Sequence, residues 1–206
     1  MLALILPALL AAAPHRAPDD SLMGPGVSRA LAARRARQLG DVRYDLALDV
    51  TRHDTAYGRV VIRFRRRGAG DAILDFRGPG LDVERVNGRA PGAGVEWNGM
   101  HARVAGSLLR PGENVVEARF AALVAPAGAS VIRVRDAADG ASYLYTLLVP
   151  SDANALFPCF DQPDLKARVT LALAVPATWT AVANGAAVDS AASAARARSA
   201  SPRHSR

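Results

Sequence analysis

The chain has little of what small proteins use to staple themselves together or to do chemistry. Cys159 is its one cysteine, so no disulfide can close within the 206 residues and the fold must rest on buried apolar surface. The thiol sits between Pro158 and Phe160, a setting for a small buried hydrophobe rather than a nucleophile. The four histidines, His15, His53, His101 and His204, never lie four apart and none precedes a glutamate, so no helix can present paired imidazoles to a metal. His53 at a turn and His101 at a strand start read as solvated or hydrogen-bonded rings. No apolar run approaches the ~18 residues of a membrane-crossing helix.

Acidic excess is also missing. The formal net charge is +7, and Lys166 is the only lysine among 26 basic residues. That charge is on the flanks. Residues 16–40 carry five Arg against two Asp, residues 190–206 carry four Arg and no acid, and residues 41–189 are neutral. Arg63-Phe-Arg65-Arg66-Arg67 falls on a solvated strand end, and no basic patch is interleaved with aromatics, so nucleic acid is not an expected partner.

What is present divides into three stretches. Residues 1–40 read as a leader and linker. The run MLALILPALLAAA at 1–13 has the length of a secretory h-region ending in small residues, which predicts export to a periplasmic or extracellular space, although no basic residue precedes it and a cytoplasmic location stays open. A short helix fits Leu31–Leu39. Residues 41–189 show two-residue periodicity again and again. Tyr44, Leu46, Leu48 and Val50 alternate with polar or small residues, as do Val60, Ile62 and Phe64, with turn residues at 51–58 between them. Further short strands fit Ala72–Phe76, Leu81–Val86, Val95–Trp97, His101–Ala105, Asn114–Phe120, Tyr143–Val149, Val169–Val175 and Thr178–Ala183. Asn87-Gly88 and Asn98-Gly99 mark turns. Strands at roughly ten-residue spacing predict an all-β domain, an antiparallel β-sandwich or saddle. Residues 190–206 are Ser, Ala, Arg, one Pro and one His, a composition that predicts a disordered tail.

One stretch departs from simple alternation. After Pro150 a polar loop with Asp152 leads into Phe157-Pro158-Cys159-Phe160, then Asp161-Gln162-Pro163-Asp164, then Leu165-Lys166. Two Phe rings held between prolines predict a long loop with its own apolar anchor. Asp161 and Asp164 beside Pro163 suit capping of loop N–H groups, and Lys166 is placed to pair with either.

The segment Pro150-Ser-Asp-Ala and Phe157-Pro-Cys-Phe-Asp-Gln-Pro-Asp-Leu-Lys-Ala-Arg168 resembles the signature loop in the N-terminal β-domain of the aminopeptidase N family of zinc metallopeptidases. Ser151, Asn154 and Gln162 stand where that family usually has Thr, Arg and Glu. Val42-Arg-Tyr-Asp-Leu46 and Leu109-Arg-Pro-Gly-Glu-Asn114 extend the likeness, which covers about residues 41 to 185. The resemblance implies the domain that covers one side of the cleft of an enzyme removing N-terminal residues from peptides, with zinc in the full-length family and none held by this chain. The zinc helix and the strand that binds the substrate amine are missing, so the chain is expected to lack its catalytic domain, as a truncation, a frameshift near Asp189 or a fragment, and to be inactive alone. Asp152, Phe157, Pro158, Cys159, Phe160, Asp161, Pro163 and Lys166 are the structural loop residues the resemblance implies. Just ahead of the loop, Leu147 and Val149 occupy positions that in the family help hold the substrate's N-terminal residue. Being apolar, they suit either an apolar side-chain pocket or the core of a strand. A stand-alone β-sandwich that binds a partner without catalysis is the alternative, and a poorly folding gene product the third.

Overall fold

The structure, a computed structural model, describes residues 20–125, 129–191 and 196–200, so the apolar run at 1–13 lies outside the described residues. It begins with a 3-10 turn at Asp20–Met23 and a helix, α1 (Arg29–Gln38). Ser28 caps that helix, its Oγ accepting the Leu31 N–H at 3.2 Å. The strands follow in order: β1 (Leu39–Asp49), β2 (Thr55–Arg66), β3 (Ala72–Asp75), β4 (Gly80–Val86), β5 (Val95–Trp97), β6 (His101–Val104), β7 (Gly112–Leu123), β8 (Val131–Arg135) and β9 (Ser142–Thr146). A single helical turn, α2 (Ala153–Leu156), precedes β10 (Ala167–Ala174), β11 (Ala186–Ala191) and β12 (Arg196–Ala200).

Seven strands form one sheet in the order β11-β12-β10-β1-β2-β7-β4, and two smaller sheets, β3-β6-β5 and β8-β9, accompany it. All pairings are antiparallel except that β10 runs parallel to β1, with Tyr44 opposite Val169 and Leu48 opposite Leu173. The long stretch between β1 and β10 gives the chain room for that crossover. Alternation sets the inner face. Tyr44, Leu46 and Leu48 of β1, Val60, Ile62 and Phe64 of β2, and Val116, Ala118 and Phe120 of β7 are all buried in one cluster with Leu74, Phe76 and Val104 of the β3-β6 side. Phe120 lies so close over Gly58 that a Cβ there would stand 2.1 Å from its ring, which accounts for a glycine inside β2.

The fold class expected from the periodicity is the one found. Three details differ. Residues 20–38 belong to the folded body rather than to a linker: Leu31 packs with Leu22, Met23 and Ile73 in a second apolar cluster. Thr178–Ala183 is no strand. Its two large apolar residues, Trp179 and Val182, have opposite parity and give no single apolar face, and the Trp179 N–H instead closes a turn onto the Pro176 carbonyl at 2.9 Å. The Ala/Ser/Arg-rich stretch from 190 supplies backbone to β11 and β12, with Ala172 of β10 opposite Arg198. A ladder needs N–H and C=O groups rather than bulky side chains, which is why composition pointed to disorder. The rest of that tail lies outside the described residues.

Candidate functional site

Asp75, the last residue of a fully buried four-residue strand, organises the densest polar cluster among the described residues. Arg35 of α1 reaches it with both terminal nitrogens, Nη1 to Oδ2 at 2.8 Å and Nη2 to Oδ1 at 2.6 Å, and Nη2 also donates to the Ile73 carbonyl at 2.7 Å. His101, opposite Asp75 across the β3-β6 pair, places Nδ1 2.8 Å from Oδ1. Its Nε2 lies 2.8 Å from the Gly24 carbonyl oxygen and 3.0 Å from that of Gly26. All of these oxygens can only accept, so each imidazole nitrogen carries a proton and His101 is an imidazolium. The hydrogen bond to Asp75 raises its pKa and outweighs burial, which acts the other way. Burial pushes the Asp75 carboxyl up, but the bonds from His101 and Arg35, with the Asp161 N–H, bring it below the ordinary carboxylate value.

The loop from Pro150 docks onto this carboxylate. The backbones of Asp75 and Cys159 exchange two hydrogen bonds, at 2.7 and 3.1 Å, and the Asp161 N–H donates to Asp75 Oδ2 at 2.8 Å. Asp161 then turns its own Oδ2 to the N–H and the side-chain amide of Asn154, at 3.0 and 2.7 Å, folding the loop back on α2. Arg77 clamps the other end, donating to Asn154 Oδ1 at 2.7 Å and pairing with Asp152. Below the loop the two Phe rings are inserted edge-on. Phe157 stands against Tyr44 with centroids 5.3 Å apart, Phe160 against Phe64 at 5.2 Å, and the Arg35 guanidinium lies 5.6 Å from the Phe160 centroid. The buried Tyr44 hydroxyl accepts the Phe160 N–H at 2.9 Å, and burial raises its pKa.

The structure thus brings Asp152, Phe157, Pro158, Cys159, Phe160 and Asp161 together in one ordered loop. Pro163 is exposed, and so is Lys166, which pairs with neither Asp161 nor Asp164. Burial first, then Asp161 and Asp75, pushes the Cys159 thiol well up, away from thiolate chemistry. Leu147 and Val149 are not core residues of a strand: they lie past the end of β9, 58% and 78% exposed. An apolar cleft of about 480 Å³ opens beside them, lined by Tyr145, Leu148, Phe157, Leu171 and Val182, but neither Leu147 nor Val149 lines it. Asp75, Arg35 and Tyr44 went unnoticed as site residues. The one available signal was an acidic residue in an otherwise apolar strand run, Ala72-Ile-Leu-Asp-Phe76.

A second cleft of about 310 Å³ lies where Arg77, Asp152 and Asn154 face Met100, His101 and Gly26. The donors do not suit zinc. Both His101 nitrogens are protonated and engaged, and Arg35 takes the Asp75 oxygens. Among the described residues no three His, Cys, Asp or Glu side chains converge for a metal. The cluster sets two cations on its one carboxylate and holds backbone. Its chemistry is positional.

The sequence matches the family described as the Peptidase M1 N-terminal domain over residues 135–199, a span running from the head of the β9 hairpin through the loop to β12. The match reaches into the Ala/Ser/Arg-rich stretch. Aminopeptidase N of Streptomyces lividans is 30% identical over 165 residues, covering 78% of this chain and 19% of that protein. The M1 zinc metallopeptidase of Deinococcus radiodurans superposes with a TM-score of 0.61 at 24% identity, over 79% of this chain and 38% of that one, and a mutant of it has been solved with a Tyr-Ser-Ala substrate. Leukotriene A4 hydrolase of Saccharomyces cerevisiae superposes with a TM-score of 0.64 at 17% identity, over 81% of this chain and 27% of that one. The last two show a shared fold. The chain spans about a fifth of the length of the curated relative it matches.

Proposed function

Because this chain belongs to the M1 peptidases as an N-terminal domain, we infer that it serves as the non-catalytic β-domain of a zinc-dependent aminopeptidase, forming one wall of the cleft that receives peptide N-termini. The observation that carries this reading is the loop from Pro150 to Lys166, locked onto Asp75 by the Cys159 and Asp161 backbones. So much buried polar bonding fixes one loop geometry, and just ahead of it Leu148 packs against the core while the side chains of Leu147 and Val149 are exposed. A rigid loop presenting apolar side chains suits contact with a second surface and with the side chain of a bound peptide. Zinc and the water it activates would come from residues other than those described here. Export through residues 1–13 belongs to the same proposal.

A chimera tests it: this chain replaces the matching N-terminal residues of the Streptomyces aminopeptidase N, and hydrolysis of alanyl amides is measured. The expected result is zinc-dependent turnover, with Leu147→Glu or Val149→Glu raising KM more than it lowers kcat. A folded, zinc-loaded chimera without turnover would overturn the reading.

A further inference from the structure

On the opposite end of the large sheet from β9, a cleft of about 530 Å³ is lined by Gly40, Asp41, Arg65, Arg66, Arg67 and Gly112. Three successive arginines line it, and the two within β2 each have a glycine on one flank. Gly40 of β1 stands opposite Arg65, and Gly112 of β7 stands opposite Arg66. On the other flank Glu113 of β7 stands opposite Arg65 and Leu39 of β1 opposite Arg66. The Arg67 guanidinium lies directly over Gly40, 3.9 Å from where a Cβ would be.

The charges around the cleft do not balance. Asp41 is its only acid, and that carboxylate is already held by Arg43 at 3.1 Å and Arg168 at 3.0 Å. Glu113, opposite Arg65, lies 3.7 Å from Arg43. Arg65 and Arg67 have no side-chain hydrogen bond or ion pair among the described residues. Arg66 is different. It is 7% exposed, gives Nη1 to the Gly70 carbonyl at 2.5 Å, and keeps a buried Nε with no hydrogen-bond partner. Burial lowers its pKa, with Asp71 acting in the opposite direction, and strand alternation turns its side chain to the inner face with Phe64, away from Arg65. A cleft with two free guanidiniums, Arg65 and Arg67, and its one acid already engaged is a site for a multivalent oxyanion, since planar guanidiniums match such groups with paired N–H donors. One carboxylate would not offset the excess. A phosphoryl dianion would.

We propose that this arginine cleft binds a phosphoryl group, carried either by a soluble phosphorylated molecule or by an anionic phospholipid surface, at a site separate from the Asp75 loop. The volume leaves room for more than the phosphoryl group itself.

The test titrates the full chain with pyrophosphate by calorimetry, while the Gly40 and Gly112 amides are followed by NMR. Both rim arginines are exposed, so Arg65→Gln with Arg67→Gln should keep the fold, which circular dichroism checks. Saturable binding with shifts at Gly40 and Gly112, weakened about tenfold or more in the double variant, is expected. Cosedimentation with phosphatidylglycerol vesicles but not phosphatidylcholine vesicles, competed by pyrophosphate, would assign the lipid source. Binding of pyrophosphate alone would assign the soluble one. Absence of saturable binding in both arms, or equal binding by the double variant, overturns the proposal.

Discussion

Replacing Asp75 by alanine would leave the Arg35 and His101 cations buried against each other and the Asp161 N–H without its acceptor. Removing one partner of a buried charge cluster costs about 3–5 kcal/mol, and urea unfolding of Asp75→Ala should show a loss of that order. The same cluster sets a pH window. His101 has a raised pKa in the folded state, so its contribution is fully present below the ordinary value of 6.5 and is lost as pH rises through the folded value. Asp75 has a lowered one, so its contribution is fully present above 3.8 and is lost as pH falls through the folded value. Arg35 faces the pair from α1, while Arg77 and Asp152 border the adjoining cleft. Thermal unfolding should therefore be most resistant between about pH 4 and 6.5 and decline on both sides. His101→Gln should lower the plateau and flatten the alkaline limb. An unchanged alkaline limb in that variant would show that His101 is not the imidazolium its partners require.

At the scale of elements, α1 shows what could and could not be read in advance. The β-strands were legible because a sheet with one buried face writes period two into the sequence, as Tyr44-Leu46-Leu48 and Val60-Ile62-Phe64 do. The run Arg29–Gln38 carries no apolar stripe. It buries only Leu31 and Arg35, and an arginine anchor looks like a solvated charge until its partner forty residues away is known. The loop was legible as a structured loop from its Phe and Pro residues and its resemblance to a known one. Its fastening was not, since Asp75 is 86 residues from Asp161 in sequence. A linker would tolerate Leu31→Ala within about 0.5 kcal/mol. A helix packed on Leu22, Met23 and Ile73 would lose about 2–5 kcal/mol. The second outcome is expected, with amide exchange accelerated in α1 and β3 before it changes in β2 and β7.

For the molecule as a whole, the unfinished surface is the β8-β9 hairpin. Among the described residues β9 pairs only with β8, and every second residue from Tyr143 to Val149 is apolar or aromatic and about half exposed or more, with Val134 of β8 beside Tyr143. A free strand edge next to such a row favours association, either with the rest of a peptidase or, in the chain alone, with another copy. The net charge of +7 opposes self-association through repulsion that salt screens over about 10 Å at 0.1 M. Sedimentation equilibrium of the isolated chain should accordingly show mass increasing from low salt to about 0.3 M, opposite to the behaviour of contacts made by ion pairs. Leu147→Glu with Val149→Glu removes the most exposed apolar side chains without touching the core, so unfolding stability should stay within about 0.5 kcal/mol while the salt-promoted association disappears. Association that persists in this variant would move the sticky surface elsewhere, to the apolar cleft under Leu171 and Val182, and would remove the ground for assigning Leu147 and Val149 to a docking face.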